Sequence, residues 1–572
     1  MKDLIIKNGI VYDPLNDIDG EKKEIHIKNG IFVDKVNGDA KVIDASGMIV
    51  MPGGVDIHSH IAGTKVNAGR QFRPDDKLPE FNEKRTKLTR AGTGWSVPST
   101  WVTGYRYAKL GYTTVVEPAM PLLKARHTHE EFLDIPIIDK GAMPLLGNNW
   151  YIFQFIKNGE FEKLCAYVNW ILKITKGYAI KIVNPGGVEN WAWGRNVSSL
   201  DDNVFHFDVT PREILESLTK VSTTLKLPHT IHVHANNLGH PGNKEHTLET
   251  FKAVEKIKSK SGRDSNLHLT HCQFHSYSGT NWGDFESGAA DIAEYLNTHN
   301  HVTIDTGQVI FAKAATTTMT ADGPWQFSLH KLGGMSGWGA KPGMKWINGQ
   351  VEGESGSGIV PYFFSPKVAV NAIQWAIGIE LMLLTKNPWQ VFMTTDHPNG
   401  GPFTSYPQII RWYMDKKSRD DVLLNQCSKK AAEKTQLKDI DRELTLNEIC
   451  IITRAGTAKS LGMTDRGHLG TGAIGDIAIY KLNPEKYTGA EIEKAFSLAA
   501  YTIKDGQIVV KNGEITATPS GTTISAEGHV KDSITEAMLE DVKAHWRDHY
   551  SINFNNYGVE VAYVPKHKII KT

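Results

Sequence analysis

Two histidines one residue apart, in Val55-Asp56-Ile57-His58-Ser59-His60, close an apolar run that follows Met51-Pro52-Gly53-Gly54. Side chains of a strand alternate between its faces, so His58 and His60 project to the same side. Imidazole nitrogens are common ligands for zinc and neighbouring transition metals. A lone His-x-His is also compatible with a polar network. Its place at the end of an apolar strand, just after a Pro-Gly turn, favours a metal.

Tyr178-Ala179-Ile180-Lys181-Ile182-Val183 puts a lysine inside an otherwise apolar run. Burying its ammonium is costly unless the group is paired or modified. With a reference pKa of about 10.4, unmodified lysine is almost fully protonated at neutral pH and cannot bind metal. Carboxylation by CO2 gives a carbamate whose two oxygens can bridge two cations; a snorkelling or salt-bridged lysine is the other reading. Ile231-His232-Val233-His234-Ala235-Asn236-Asn237 and His268-Leu269-Thr270-His271 each end a short apolar run in histidine. His234 and His271 take the last strand-like position. His232 lies one step deeper, where a core hydrogen-bonding role is expected, and His268 begins its strand. Cys272 faces away from its neighbour His271 and reads as a core thiol rather than a thiolate ligand. Finally, Val391-Phe392-Met393-Thr394-Thr395-Asp396-His397-Pro398-Asn399 ends a strand in a carboxylate. Asp396 in that place is either a helix N-cap or, given the proline that follows, a metal ligand able to shuttle a proton.

Such groups need a frame. Candidate strands are Val55–His58, Thr113–Glu117, Pro144–Gly147, Ala179–Val183, Thr230–His234, His268–His271, Val302–Asp305 and Val391–Asp396, alternating with helical stretches. Mostly apolar strands of this kind suit a parallel sheet buried on both faces. Eight β/α units favour an α/β fold of the (β/α)8 TIM-like barrel type, with chemistry at the C-terminal strand ends; an open, doubly wound sheet is the competitor. The first fifty residues read as short strands (Leu4–Lys7, Glu24–Ile27, Ile31–Val36, Val42–Asp44) with Asn-Gly turns at 8–9 and 29–30. The same texture returns in Asp476–Tyr480 and Gly506–Val510, before Asn512-Gly513. The expected organisation is therefore a small β-sandwich from 1–50 plus 460–525, a barrel over 51–459, and a C-terminal helix and tail over 526–572. Long insertions at Gly63–Thr103, Asn184–Thr210 and Thr306–Tyr362 are either walls over the mouth or solvent-facing elaboration.

With 64 Lys+Arg against 63 Asp+Glu in 572 residues, nothing points to nucleic acid or another polyanion. Four widely spaced cysteines form no CxxC pair and suit a reducing cytoplasm. The N-terminus lacks a signal peptide's apolar core. The apolar stretch Val368–Leu384 is interrupted by Asn371, Gln374 and Glu380 and reads as an amphipathic helix rather than a membrane span.

His-x-His on the first strand, Lys on the fourth, His on the fifth and sixth and Asp on the eighth resembles the arrangement of binuclear amidohydrolases. Met51–Gly63, Gly147-Asn148-Asn149-Trp150, Thr175–Tyr178, Lys181–Pro185 and Thr318–Pro324 are more specific, and resemble the A subunits of formylmethanofuran dehydrogenase nearly end to end, through Tyr550–Asn553. The resemblance implies two divalent cations, zinc first, with Mn, Fe or Co also compatible. It places His58, His60 and Asp396 on one metal, His234 and His271 on the other, and carboxylated Lys181 between them, with Asp396 as the catalytic proton carrier. Asn236, Asn237, His275, His397 and Asn399, next in sequence to these positions, are candidates for substrate or supporting contacts.

The family resemblance further implies one-carbon metabolism of the methanogenic type. A molybdenum- or tungsten-pterin, formate dehydrogenase-like subunit, with iron–sulfur subunits, supplies formate, which the amidohydrolase subunit condenses with the amine of methanofuran. A bacterial formyltransferase/hydrolase complex that releases formate from the formylated cofactor is the alternative. His397 stands where the archaeal family also allows a small residue, which leaves the subgroup open. A free-standing cyclic-amide hydrolase and a metal-free scaffold are the remaining readings. The former shares the ligands but not the long matching stretches, and six retained ligand positions count against the latter.

Overall fold

The computed structural model describes residues 3–259, 263–312, 314–335, 358–550 and 553–572. Among these, eight short strands carry the site: β1 Gly54–Asp56, β2 Tyr112–Met120, β3 Asp139–Pro144, β4 Lys181–Val183, β5 Ile231–His234, β6 Leu267–Leu269, β7 Val302–Asp305 and β8 Val391–Phe392. Strands β1, β2 and β3 pair in parallel in one sheet, and β4 through β8 pair in parallel, in chain order, in another. Two isolated parallel bridges join the sheets: Leu145, after β3, pairs with Lys181 of β4, and Ser59, after β1, pairs with His397, after β8. The pairing path thus returns to its start. Strands β4 to β8 are buried at every position, as parallel strands covered on both faces must be.

Helices fill the connections. Pro211–Thr224 starts as its sequence dictates, with proline in the first turn and a capping box in which the Glu213 N–H donates to Thr210 Oγ1 and the Thr210 N–H donates to Glu213 Oε2. It buries Ile214, Leu215, Leu218 and Val221, one face of a helix at 3.6 residues per turn.

The β-rich ends of the chain meet. Ile49–Pro52 pairs antiparallel with Ile477–Tyr480 inside a seven-stranded sheet. A four-stranded sheet, Ile31–Val33, Ile25–Lys28, Asp3–Lys7 and Ala40–Asp44, packs with it around Leu4, Ile6, Ile27, Phe32, Val50 and Ile479. The Asn-Gly pairs at 29–30 and 512–513 have positive φ at both residues and close hairpins, as the turn geometry requires. Asn8-Gly9 does not. Asp3–Lys7 and Ile10–Asp13 lie in different sheets, and only Asn8 takes positive φ there. After the seven-stranded sheet, Thr523–Glu527 pairs with β3, and His567–Lys571 pairs with it in turn, beyond the helix Asp532–His549.

Three expectations shift. The third strand is Asp139–Pro144, not Pro144–Gly147. Its Asp-Lys-Gly start masks it in the sequence, yet both charges are satisfied inside. Asp139 Oδ2 lies 2.8 Å from Arg466 Nη1 and 3.1 Å from Lys504 Nζ, and Lys140 Nζ donates to the Phe132 and Ile135 carbonyls. The first strand stops at Asp56, short of His58, and the sixth and eighth stop at Leu269 and Phe392, short of His271 and Asp396, which adopt left-handed conformations with φ of 37° and 49°. Third, helix Ala369–Leu384 is not amphipathic but enclosed on all sides, with Asn371, Gln374 and Glu380 buried. Gln374 donates to the Tyr277 hydroxyl at 2.8 Å, and Glu380 accepts from the Ser287 hydroxyl and the Gln436 N–H. No helix among the described residues is long and apolar enough to cross a membrane.

Burial pushes the Glu380 carboxyl up to about 7. Its unfolded value is about 4.3, so the folded chain favours the protonated form. That contribution is fully present below about pH 4.3 and is lost as pH rises to about 7, roughly 4 kcal/mol in all. Glu380→Gln, which mimics the neutral acid, is expected to remove this slope. Apparent Tm of parent and variant, measured from pH 5 to 8, should diverge with rising pH in the variant's favour; parallel curves would count against it.

Candidate metal centre

The chain leaves β1 so that alternate side chains diverge. The Ser59 hydroxyl donates to the Tyr107 hydroxyl oxygen at 2.6 Å, while His58 and His60 line the cavity. The His58 N–H donates to Asp56 Oδ1 at 3.1 Å. Burial pushes the Asp56 carboxyl up to about 7, although the Tyr406 and Tyr107 hydroxyls both donate to it. His60 Nδ1 lies 2.9 Å from Glu117 Oε1, on β2, and Glu117 also accepts from the N–H groups of Ile61, Ala62 and Ala119. A carboxylate so placed keeps the His60 proton on Nδ1 and leaves Nε2 facing inward.

Asp396, past β8, meets both rings. Its Oδ1 is 2.9 Å from His58 Nε2 and 3.2 Å from His60 Nε2, and its Oδ2 accepts from Asn399 Nδ2 at 2.9 Å. Ligand atoms that each lie about 2.0–2.2 Å from one zinc ion are spaced in this way. Burial opposes ionisation of Asp396, but His271 and His58 outweigh it and hold the carboxyl well below the usual range. Burial likewise opposes a charge on His60, yet Glu117 and Asp396 raise it to about 9. The donor set is anionic enough to draw a cation.

On the other side, His234 closes β5 with Nε2 2.9 Å from Asp322 Oδ2, leaving Nδ1 for another partner. Asp322 is held by the Asn184 amide and the Trp325 N–H. The His271 ring lies 4.8 Å from that of His234 and 5.6 Å from that of His58, and its buried Nδ1 has no hydrogen-bond partner among the described residues. Lys181 opens β4, 2% exposed, with Nζ 3.4 Å from Thr270 Oγ1. Burial lowers its pKa to about 7. His58, His60, Lys181, His234, His271 and Asp396, the six positions singled out in the sequence, all line one cavity. Lys181 stands with the imidazoles of His58 and His271. The donor types, the spacing at Asp396 and the unpartnered His271 nitrogen fit a pair of divalent cations.

Two of the three insertions contribute to the wall: Lys65 and Val66 from the first, Met319 and Trp325 from the third, whose residues 336–357 lie outside those described. Of the second, Asn184 supports Asp322 instead of lining the cavity. Among the residues considered for substrate contact, Asn399 is on the wall, whereas Asn236, Asn237, His275 and His397 are not. Asn236 is tied to Asn184 Oδ1 and the Pro185 carbonyl, and Asn237 to the Ser198 carbonyl. His275 stacks behind His271 at 5.5 Å, and His397 accepts from the Phe403 N–H. The Cys272 thiol is buried at Ser276, its pKa pushed up to about 12 by burial.

Glu117, Asp305 and Asp322 were missed as functional candidates. Glu117 and Asp305 were both legible as carboxylates ending candidate strands, the signal that singled out Asp396. A second acidic group, Asp139, Asp476 and Asp505, is neutralised by Lys504 and Arg466 and reads as structural.

The amidohydrolase family pattern matches residues 41–510. Protein FwdA of Methanocaldococcus jannaschii is 54% identical over 571 residues, 99% of this chain and 98% of its own. The A subunit of the formyltransferase/hydrolase complex Fhc of Methylorubrum extorquens is 35% identical over 568 residues, 98% of this chain and 97% of its own. In the crystal structure of that complex with methylofuran, one chain superimposes with a TM-score of 0.88 at 34% identity, covering 100% of this chain and 99% of that chain.

Proposed function

The chain belongs to the amidohydrolase family, within it to the group formed by the A subunits of formylmethanofuran dehydrogenase, and on that premise we propose that it forms and cleaves the formyl–nitrogen bond of formylmethanofuran. The observation that carries this reading is the convergence of six metal-binding side chains on one cavity. We read the ring of parallel strands as a (β/α)8 barrel, the two packed sheets as a small sandwich domain from 1–50 and 460–525, and 526–572 as an appended helix and tail. His58, His60 and Asp396 would hold one divalent cation and His234 and His271 the other, zinc being our assignment from nitrogen and oxygen donors. Lys181, as a carbamate, would supply oxygen donors to both. Only an unprotonated amine adds CO2, and a lysine brought to about 7 by burial supplies that form at neutral pH.

Bound there, the cations would polarise the formyl oxygen and acidify water. Asp396, ionised and steadied by Asn399, takes the proton of the attacking water and delivers it to the departing nitrogen, base then acid. The carbon–nitrogen bond breaks as the carbon–oxygen bond forms, releasing formate and the free amine. Condensation of formate with the amine of methanofuran follows the same path backwards, and is the direction assigned here. The 54% identity to FwdA against 35% to the Fhc relative favours the formylmethanofuran dehydrogenase group over the formyltransferase/hydrolase group. The reading implies partner subunits carrying a molybdenum- or tungsten-pterin and iron–sulfur clusters, and a cytoplasmic enzyme, with which four buried cysteines agree.

The test is formate release from formylmethanofuran by the isolated chain, with metal content measured on the same sample. Release that tracks two bound metals and stops on chelation is expected. A fully loaded chain that releases no formate would overturn the assignment.

A further inference from the structure

Behind His58 three imidazoles form a line. His58 Nδ1 lies 2.9 Å from His232 Nε2, His232 Nδ1 lies 3.0 Å from His229 Nε2, and His229 Nδ1 lies 2.6 Å from the Ser460 carbonyl oxygen. The line runs from the cavity floor, past β5, to the residue that ends helix Gly456–Ser460. All three rings are buried, at 1%, 0% and 0% exposure.

A carbonyl oxygen only accepts, so His229 must carry its proton on Nδ1. A neutral imidazole has one donor and one acceptor, so His229 Nε2 accepts from His232 Nδ1, and His232 Nε2 accepts from His58 Nδ1. His58 is left with its lone pair on Nε2, the atom 2.9 Å from Asp396. Asp305 reinforces this end: its Oδ2, an acceptor only, lies 3.5 Å from the same His58 Nδ1. Asp305 is itself fixed by the His271 N–H, the Thr394 hydroxyl and His268 Nε2.

We propose that His232 and His229 are positioning residues, a relay anchored on the Ser460 carbonyl that sets the His58 tautomer and aims its Nε2 lone pair at a cation held with Asp396. The relay rests on the metal assignment above. It adds that the tautomer of a ligand is dictated from the opposite end of the ring of strands, by residues that touch neither cation nor substrate.

The test is Zn2+ affinity of the chelator-stripped, full-length chain in bicarbonate buffer, alongside the apparent Tm of the stripped chain. His232→Phe keeps a flat ring between His58 and His268 but offers no acceptor, and a loss of about tenfold to a hundredfold is expected. His232→Gln places an amide oxygen near the former Nε2 and should restore affinity close to the parental value. His229→Phe removes the anchor without touching a ligand's partner, and a smaller loss is expected; it decides the matter if His232→Phe does not fold. Parental affinity in His232→Phe or His229→Phe, or equal weakness in His232→Gln and His232→Phe, would overturn the relay. Failure of the parent chain to bind zinc, manganese or cobalt would instead remove the metal assignment.

Discussion

Lys181→Ala is expected to strip most bound metal from the chain and to lower formate release by more than about a hundredfold. Loss of a supporting partner alone typically costs 10- to 100-fold, and here a group shared by both cations would go. The argument begins with position. Lys181 opens β4 at 2% exposure, paired through the backbone with His232 on one side and bridged to Leu145 on the other. Among the described residues its amine makes no close ion pair, and the contact at Nζ is Thr270 Oγ1 at 3.4 Å, longer than a good hydrogen bond. Burial costs an unpaired ammonium heavily, and its pKa falls to about 7. A carbamate removes that cost when cations lie against it.

The experiment separates this from simple loss of packing. Alanine leaves a hole the size of a lysine side chain beside His271 and Asp396, and a small carboxylate such as acetate can enter it and offer two oxygens. Partial return of metal and of formate release in acetate is expected for Lys181→Ala and not for Lys181→Met, which fills the space. An intact mass showing an unmodified amine in a parent chain loaded with two metals would count against the bridge.

How much of this is open to reading in the sequence depends on how local each cause is. Strand parity, a property of adjacent residues, singles out His58 and His60, although β1 itself ends at Asp56 and both lie just beyond it. Lys181 and His234 stand out because an ionisable group in an apolar run has few bland explanations. The left-handed turns at His271 and Asp396 have no such signature, so the pattern predicts strands longer than those observed although it singles out both residues. The third strand is misplaced by the pattern because Asp139 and Lys140 look like loop until Arg466, 327 positions later, is seen against Asp139. Glu117 grips His60 across 57 residues and Asp322 grips His234 across 88. No spacing rule links such pairs, and only the closed path of strands brings them together. The same holds for Asn236 and His397, which adjacency suggests for substrate and which the fold uses to brace loops.

Asp396→Asn should give the opposite signature to Lys181→Ala: much of the metal retained, most of the turnover lost. The amide oxygen can replace Oδ1 opposite His58 and His60, so the donor count is unchanged. What disappears is a group that can both take and return a proton, a role worth about 10²–10⁴ in rate. A modest fall in metal affinity is also expected. Asn399 now donates to Asp396 Oδ2 while its own Oδ1 accepts from the Met319 N–H at 2.7 Å. The new amide would place N–H against N–H there, and Asn399 cannot turn without giving up Met319. Asn399→Ala should therefore improve metal retention in the Asp396→Asn background without returning turnover. The decisive comparison is formate release per bound metal. If Asp396→Asn releases formate at near-parental rates with both cations in place, the proton passes through some other group, and Asp396 is a ligand alone.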